Sequence, residues 1–359
     1  MSMKRQFSHT LLLLVFVAAF AAQSCKTKPD ANTGATSEYD SNGMSYYHRT
    51  EETKLKPGQL YVEGEVKNPG KVDYAKYGKR EVLFKQSKPN QSGEVEFVGA
   101  YRYRGYSLFD LLNPFIIEKK NAEEFIPNTD LYIIVENDKG DRVAFSWAEI
   151  FLGHQMHQVI IATEQASIEP YKKEVSYPKG SVWKVVASTD LYSYRELENP
   201  TKITIKSFDK KHYPIDRKPE DPYSPTVNLV FDNELKATIG ANVDQYPHLK
   251  YASIFYGMGM GDHGSPYFEG PMLRPMVEKF FEPDIQGWMR SGLAFVVGKD
   301  GFRNVFSVSE LFNRVDQVEP ILSIPPDRVK SGHFRLYHPA AFFADFSVRN
   351  LAEINFFHD

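Results

Sequence analysis

The densest grouping of chemically capable residues is Tyr256-Gly-Met-Gly-Met-Gly261-Asp262-His263-Gly264-Ser265-Pro-Tyr267-Phe-Glu269-Gly270. Backbone this rich in glycine can approach a ligand closely and turn several N–H groups toward an anion. Asp262 and His263 add a carboxylate and an imidazole, a pair able to hold a metal ion or pass a proton. Gly259, Gly261, Ser265 and Tyr267 complete this candidate ligand-binding set. The stretch lacks the Gly-Lys-Ser/Thr of a phosphate-binding loop and the strand-then-helix setting of a dinucleotide fingerprint. The competing reading is a turn-rich loop whose Met and Tyr side chains pack on the core. Arg102 and Arg104 form a second candidate, able to grip an anion bidentately or else to pair with surface carboxylates. His154 and His157, three apart, would share one metal if helical, but a solvated helix end with no third ligand reads as well. His333 and His338 flank the aromatic segment 334–337 and read as structural. No Gly-x-Ser-x-Gly elbow is present.

Composition narrows the choices. The 359 residues carry 43 Lys+Arg and 46 Asp+Glu, a formal charge of -3, so no cationic excess exists to neutralise phosphates and nucleic acid is not an expected partner. Hydrophobic residues at 42% and aromatics at 14% suffice for a sizeable core. The single Cys rules out an intramolecular disulfide, a Cys-pair zinc site and a Cys-ligated iron–sulfur cluster.

That Cys is placed for one particular chemistry. Lys4 and Arg5 precede an apolar run, residues 11–22, which has the length of a signal-peptide core and is too short to span a bilayer. Ala22-Gln23-Ser24-Cys25 follows and resembles the lipobox of bacterial lipoproteins, although Gln23 and Ala22 depart from the strict pattern. The resemblance implies removal of residues 1–24, which shifts the formal charge from -3 to -5 because Lys4 and Arg5 leave with no acidic residue. It also implies lipidation of Cys25, with a membrane as partner through that anchor. Residues 25–57 are polar and read as a flexible tether. Lys26 after the anchor favours an outer-membrane position facing the periplasm.

The elements that would position the candidate sites occur twice. Leu131, Val135, Gly140, Arg142, Phe145, Ser146, Glu149 and Phe151 match Leu293, Val297, Gly301, Arg303, Phe306, Ser307, Glu310 and Phe312 when one gap is allowed. Each copy predicts an apolar strand, a glycine hairpin, a second strand ending at Phe-Ser, and a short helix opened by a capping box. Arg104-Gly105 and Glu269-Gly270 correspond upstream. Downstream, Gly180 corresponds to Gly332, Arg195 to Arg349, and Ile203-Thr-Ile205 to Ile354-Asn-Phe356. The Pro-rich charged stretch between the copies reads as a linker.

Each copy resembles the molybdopterin-binding domain of sulfite-oxidase-type oxidoreductases. The residues carrying the resemblance are Val62-Glu-Gly64-Glu-Val66-Lys-Asn-Pro69-Gly, Tyr103-Arg104-Gly105-Tyr-Ser-Leu108 and the hairpin from Asp138 to Glu149. It implies an α+β chain of two tandem mixed α/β domains: 58–208 and 226–359, joined by linker 209–225. It also implies a molybdopterin cofactor whose molybdenum is bound by a Cys thiolate. No thiol stands at the matching positions, Val95 to Phe97 or Met260-Gly261, so molybdenum–thiolate ligation is excluded. The resulting expectation is a non-catalytic envelope module binding a small ligand, a metal ion or a metal complex. The alternatives are a pterin oxidoreductase without thiolate ligation and an assembly lipoprotein that docks an envelope protein.

Overall fold

A computed structural model describes residues 50–359, apart from 91, 171, 217, 222 and 326–332. The export signal, Cys25, most of the tether and Gly332 lie outside the described residues. In the first half the strands run β1 (Thr53–Lys54), β2 (Tyr61–Gly64), β3 (Gly70–Lys71), β4 (Arg80–Pro89) and β5 (Val95–Ser107). Helix α1 (Leu108–Leu112), β6 (Leu131–Asn137), β7 (Arg142–Ser146) and α2 (Trp147–Phe151) follow. The half ends with β8 (Val159–Ser167), β9 (Lys184–Ala187), β10 (Leu197–Glu198) and β11 (Pro200–Ser207).

The second half contains β12 (Val227–Phe231), β13 (Glu234–Ile239), β14 (His248–Ala252), β15 (Tyr256–Gly257), β16 (Gly261–Asp262) and β17 (Tyr267–Pro271). Helices α3 (Arg274–Val277) and α4 (Ile285–Ser291) lead to β18 (Leu293–Gly298), β19 (Arg303–Ser307) and α5 (Val308–Phe312). The last strands are β20 (Ile321–Ser323), β21 (Arg335–Tyr337) and β22 (Leu351–Phe357). Mixed sheets with few, short helices make this an α+β fold.

Two five-stranded sheets have one strand order: β3-β2-β11-β6-β7 and β13-β12-β22-β18-β19. In each, the first and last strands pair in parallel and the other neighbours are antiparallel. The pairings Val62 with Ile203 and Leu229 with Ile354 set the halves in register. Both hairpin glycines have positive φ, Gly140 at 85° and Gly301 at 77°. Both predicted capping boxes form, Ser146 with Glu149 and Ser307 with Glu310.

The structure corrects the one-residue gap. Tyr132 pairs with Ser146 and Leu293 with Ser307, so the partner of Leu293 is Tyr132, not Leu131. The shift matters because side chains alternate across a strand, and one residue moves every group to the opposite face. Leu131, Ile133 and Val135 face the core of the first half, as Ala294 and Val296 face that of the second. Tyr132, Ile134 and Ala144 pack instead against Leu293, Phe295 and Val305, joining the halves through the backs of their sheets. With both faces covered, the strands read as continuous apolar runs.

A six-stranded antiparallel sheet, β10-β9-β8-β5-β4 with β1 on β8, closes the first core. Its place in the second half is taken by the short ladders β14-β17 and β20-β21. Gly105 and Gly270 hold equivalent positions here. A Cβ on Gly105 would lie 2.0 Å from the Ile161 carbonyl oxygen, and one on Gly270 would lie 2.2 Å from that of Leu322. Only glycine permits such an approach.

Two expected boundaries move. Thr53 and Lys54 already pair with β8 and Leu55 is buried, so the ordered fold begins inside the stretch read as tether. The linker is packed: Lys211 pairs with Glu353, His212 with Glu124, and the Tyr213 carbonyl accepts from Arg303. The described residues, 50 onward, hold together as one compact unit. Among the described residues no helix is long and apolar enough to cross a membrane.

Candidate functional site

The glycine-rich stretch forms a small exposed hairpin, β15 paired with β16. Asp262 spends a carboxylate oxygen on the Gly264 amide at 2.7 Å, an Asx turn that also accounts for Gly264 at φ 85°. The His263 ring packs on Phe255. Gly259, Asp262, His263, Ser265 and Tyr267 are all exposed and Gly261 half-buried. Among the described residues no group of three His, Cys, Asp or Glu side chains is placed to hold a metal ion. Tyr267 lines an open groove of about 550 Å³ with Phe255, Phe268 and Arg335.

Arg102 and Arg104 lie elsewhere, on β5. Arg102 pairs with Glu81 at 2.9 Å and Glu52 at 3.3 Å, and Arg104 with Glu164 at 3.2 Å and Glu52 at 3.4 Å. They are engaged in a carboxylate network on the sheet. His154 and His157 follow the end of α2 and share no helical face; the His154 ring packs on Phe342, while His157 Nδ1 lies 3.0 Å from Ser107 Oγ.

A site not anticipated from sequence lies where α2 and α5 meet. The halves touch there reciprocally: Asp190 bridges to Arg314, and Ala341 bridges to Gly153. These positions are equivalent in the two halves, as in a two-fold contact between identical subunits. A cavity of about 250 Å³ opens along this contact, lined by Glu149, Asp190, Arg195, Glu310, Arg314 and His338 among others.

Arg195 organises one side. Its Nε and Nη2 donate to Asp190 at 2.9 and 2.6 Å, while Nη1 donates to both Glu149 oxygens at 2.9 and 3.0 Å. The same nitrogen reaches Ser307 Oγ across the junction at 3.1 Å, and the guanidinium lies 4.4 Å from the Phe145 ring centroid. Burial works against its charge, but Asp190 and Glu149 more than offset this and raise its pKa.

The sheet register pairs Arg195 with Phe346, correcting the match to Arg349. Asn199 and Asn350, each at positive φ before the closing strand, confirm the alignment. Phe346 packs edge-on against Phe306 as Arg195 packs against Phe145, whereas Arg349 is exposed. Glu310 therefore lacks the guanidinium that Glu149 has. It accepts from Ser146 Oγ at 2.7 Å and from the Ser307 amide at 3.3 Å. Burial and the nearby Glu149 push its pKa up to about 8.

His338 stands where the first half has Ala187. It is 3% exposed, and neither ring nitrogen has a hydrogen-bond partner among the described residues. Burial, aided by Arg314, pushes its pKa down to about 3, so the ring is neutral. It presents one donor and one acceptor that the protein does not use. Arg314 is chelated by Asp316 through Nε and Nη2. No thiol lines the cavity, and the sequence's single Cys, Cys25, lies outside the described residues. These residues do not fit a molybdenum–thiolate centre. No protein-family model and no curated protein matches the chain.

Proposed function

We propose that the chain is a lipid-anchored envelope protein built from two repeats of the sulfite-oxidase-type molybdopterin-domain kind, acting as a binding module for a small ligand. The observation that carries the binding reading is His338, buried with both ring nitrogens unsatisfied on the wall of an otherwise hydrogen-bonded cavity. An unmatched buried polar group is costly unless something satisfies it. The shared strand order of the two sheets supports the repeat reading. At about 250 Å³ the cavity sits below the usual range for organic cofactors, which favours a small molecule over a pterin. The ligand site moves accordingly from the Asp262–His263 hairpin to the junction.

Native mass spectrometry and thermal shift of the full chain across metabolite and metal panels test the reading. A retained small molecule, lost in Ala341→Trp, is the expected result; no ligand and no shift would remove it. Labelling with a fatty-acid probe, lost in Cys25→Ser, tests the anchor, and a non-permeant reagent on intact cells tests the periplasm-facing leaflet. A second reading, docking of an envelope protein, is favoured by the exposure of Ile254 (82%), Met260 (84%) and Tyr267 (68%) around the glycine hairpin. Co-purification of a membrane protein that depends on Ile254 and Met260 would support it.

A further inference from the structure

We propose that the junction cavity selects a small organic monocation bearing a primary ammonium, with Glu310 and His338 as its acceptors; this deepens the binding reading above and rests on it. The cavity is closed to anions. Both guanidiniums at the cavity are already bound by carboxylates, Arg195 by Asp190 and Glu149 and Arg314 by Asp316. Among the described lining residues no guanidinium or ammonium remains to receive a carboxylate or phosphate. Four carboxyl groups, Glu149, Asp190, Glu310 and Asp316, line the cavity against the two guanidiniums of Arg195 and Arg314, and burial raises the pKa of Asp190 and of Glu310. An excess of buried carboxyl groups over cationic partners is unfavourable to ionise, and a monovalent cation supplies the partner that Glu310 lacks.

The free acceptors of the cavity match the donors of an ammonium. Neutral His338 offers a nitrogen lone pair, and Glu310, once ionised, offers a carboxylate that no guanidinium holds. An ammonium has donors for both. A metal ion is disfavoured because no three-ligand group exists among the described residues. Size sets the upper limit. About 250 Å³ is the volume of about eight waters at the liquid value of ~30 Å³ each, enough for an amine of a few carbons.

Cation binding must pull the proton from Glu310. The groups facing it are Glu149 on α2, Arg195 and Asp190 from the segment before β10, Arg314 and Asp316 after α5, and His338. Burial and Glu149 place the Glu310 titration at about 8. Affinity for an ammonium should therefore rise with pH up to about 8, approaching tenfold per pH unit, and then level off.

The test is isothermal titration of the full chain with aminopentanol, pentanediol and hydroxypentanoate, three chains of similar length with cationic, neutral and anionic ends. The His338 imidazole ¹⁵N shift reports occupancy. Aminopentanol should bind with proton release, shift His338, and lose at least tenfold affinity in Glu310→Gln, which retains the capping box. Binding by the diol or carboxylate alone, with the His338 shift, would overturn the ligand class while leaving the cavity reading intact. Ammonium binding unaffected by Glu310→Gln would overturn the role of Glu310. No response of His338 to any of the three, with Ala341→Trp equally silent, would overturn both.

Discussion

Helices α2 and α5 begin with the same motif and end in opposite electrostatic states. Ser146 and Glu149 close one capping box, Ser307 and Glu310 the other, and the two lie against each other at the junction. Glu149 is held by Arg195. Glu310 meets Phe346 at the equivalent place and is left to carry a proton. The comparison teaches that a local motif specifies backbone geometry, whereas the charge of its side chain is set by a residue far along the chain. The shared strand order supplies symmetric walls. Single replacements, Arg195 against Phe346, Asp190 against Ala341 and Ala187 against His338, then turn a symmetric contact into a polar cavity with distinct ends.

The largest way to break this asymmetry is Arg195→Met. It strands Asp190 and Glu149 as buried charges and should destabilise by about 3–5 kcal/mol in urea unfolding at neutral pH. Gly105→Ala and Gly270→Ala test the equivalence of the two halves. Each drives a methyl into a neighbouring carbonyl, and similar losses of about 1–3 kcal/mol are expected from thermal or urea unfolding.

Glu310→Gln sharpens the comparison through pH. The folded-state pKa is raised from 4.5 to about 8, so the folded chain binds the extra proton and stability falls as pH rises through that window. The slope attributable to this group is about 1.4 kcal/mol per pH unit. His338 works in the opposite direction, because its pKa falls from 6.5 to about 3 and stability is lost on acidification between those values. The two slopes oppose each other between about 4.5 and 6.5, leaving a decline from 6.5 to 8 that should disappear in Glu310→Gln. The smallest effect belongs to Arg142→Ala, about 0.5 kcal/mol or less, since Arg142 is half-exposed and its ion pair with Glu136 lies at the surface. Its counterpart Arg303 is buried against Asp130 and Glu124, and the same substitution there should cost several times more in chemical denaturation.

Much of the hairpin-and-helix unit was legible because its signals are local. Glycine at a positive-φ turn, Phe-Ser at a strand end and Glu three residues later each act through neighbours a few positions away. The placement of Arg195 was not legible. Its type suggested a match to Arg349, and only the strand register, set by pairing over more than a hundred residues, shows Phe346 in its place. The gap between Leu131 and Leu293 failed for a related reason: identity of residue type cannot distinguish two registers that differ by one. The glycine stretch drew attention through composition, yet its glycines serve an exposed hairpin. His338 read as structural because a His beside an aromatic strand gives no sign of whether its nitrogens will find partners.

The closing strands carry a consequence for the order in which the molecule can be made. Each five-stranded sheet is completed by pairing its first strand with its last, β2 with β11 and β12 with β22. Long-range closures of this kind are slow relative to hairpins. The first sheet can close once Ser207 has emerged, before the second half has followed it. Tyr132, Ile134 and Phe208 would then wait uncovered until β18, β19 and Phe357 arrive to bury them. During that interval the chain presents an apolar sheet back to its surroundings, a surface open to association until the second half covers it.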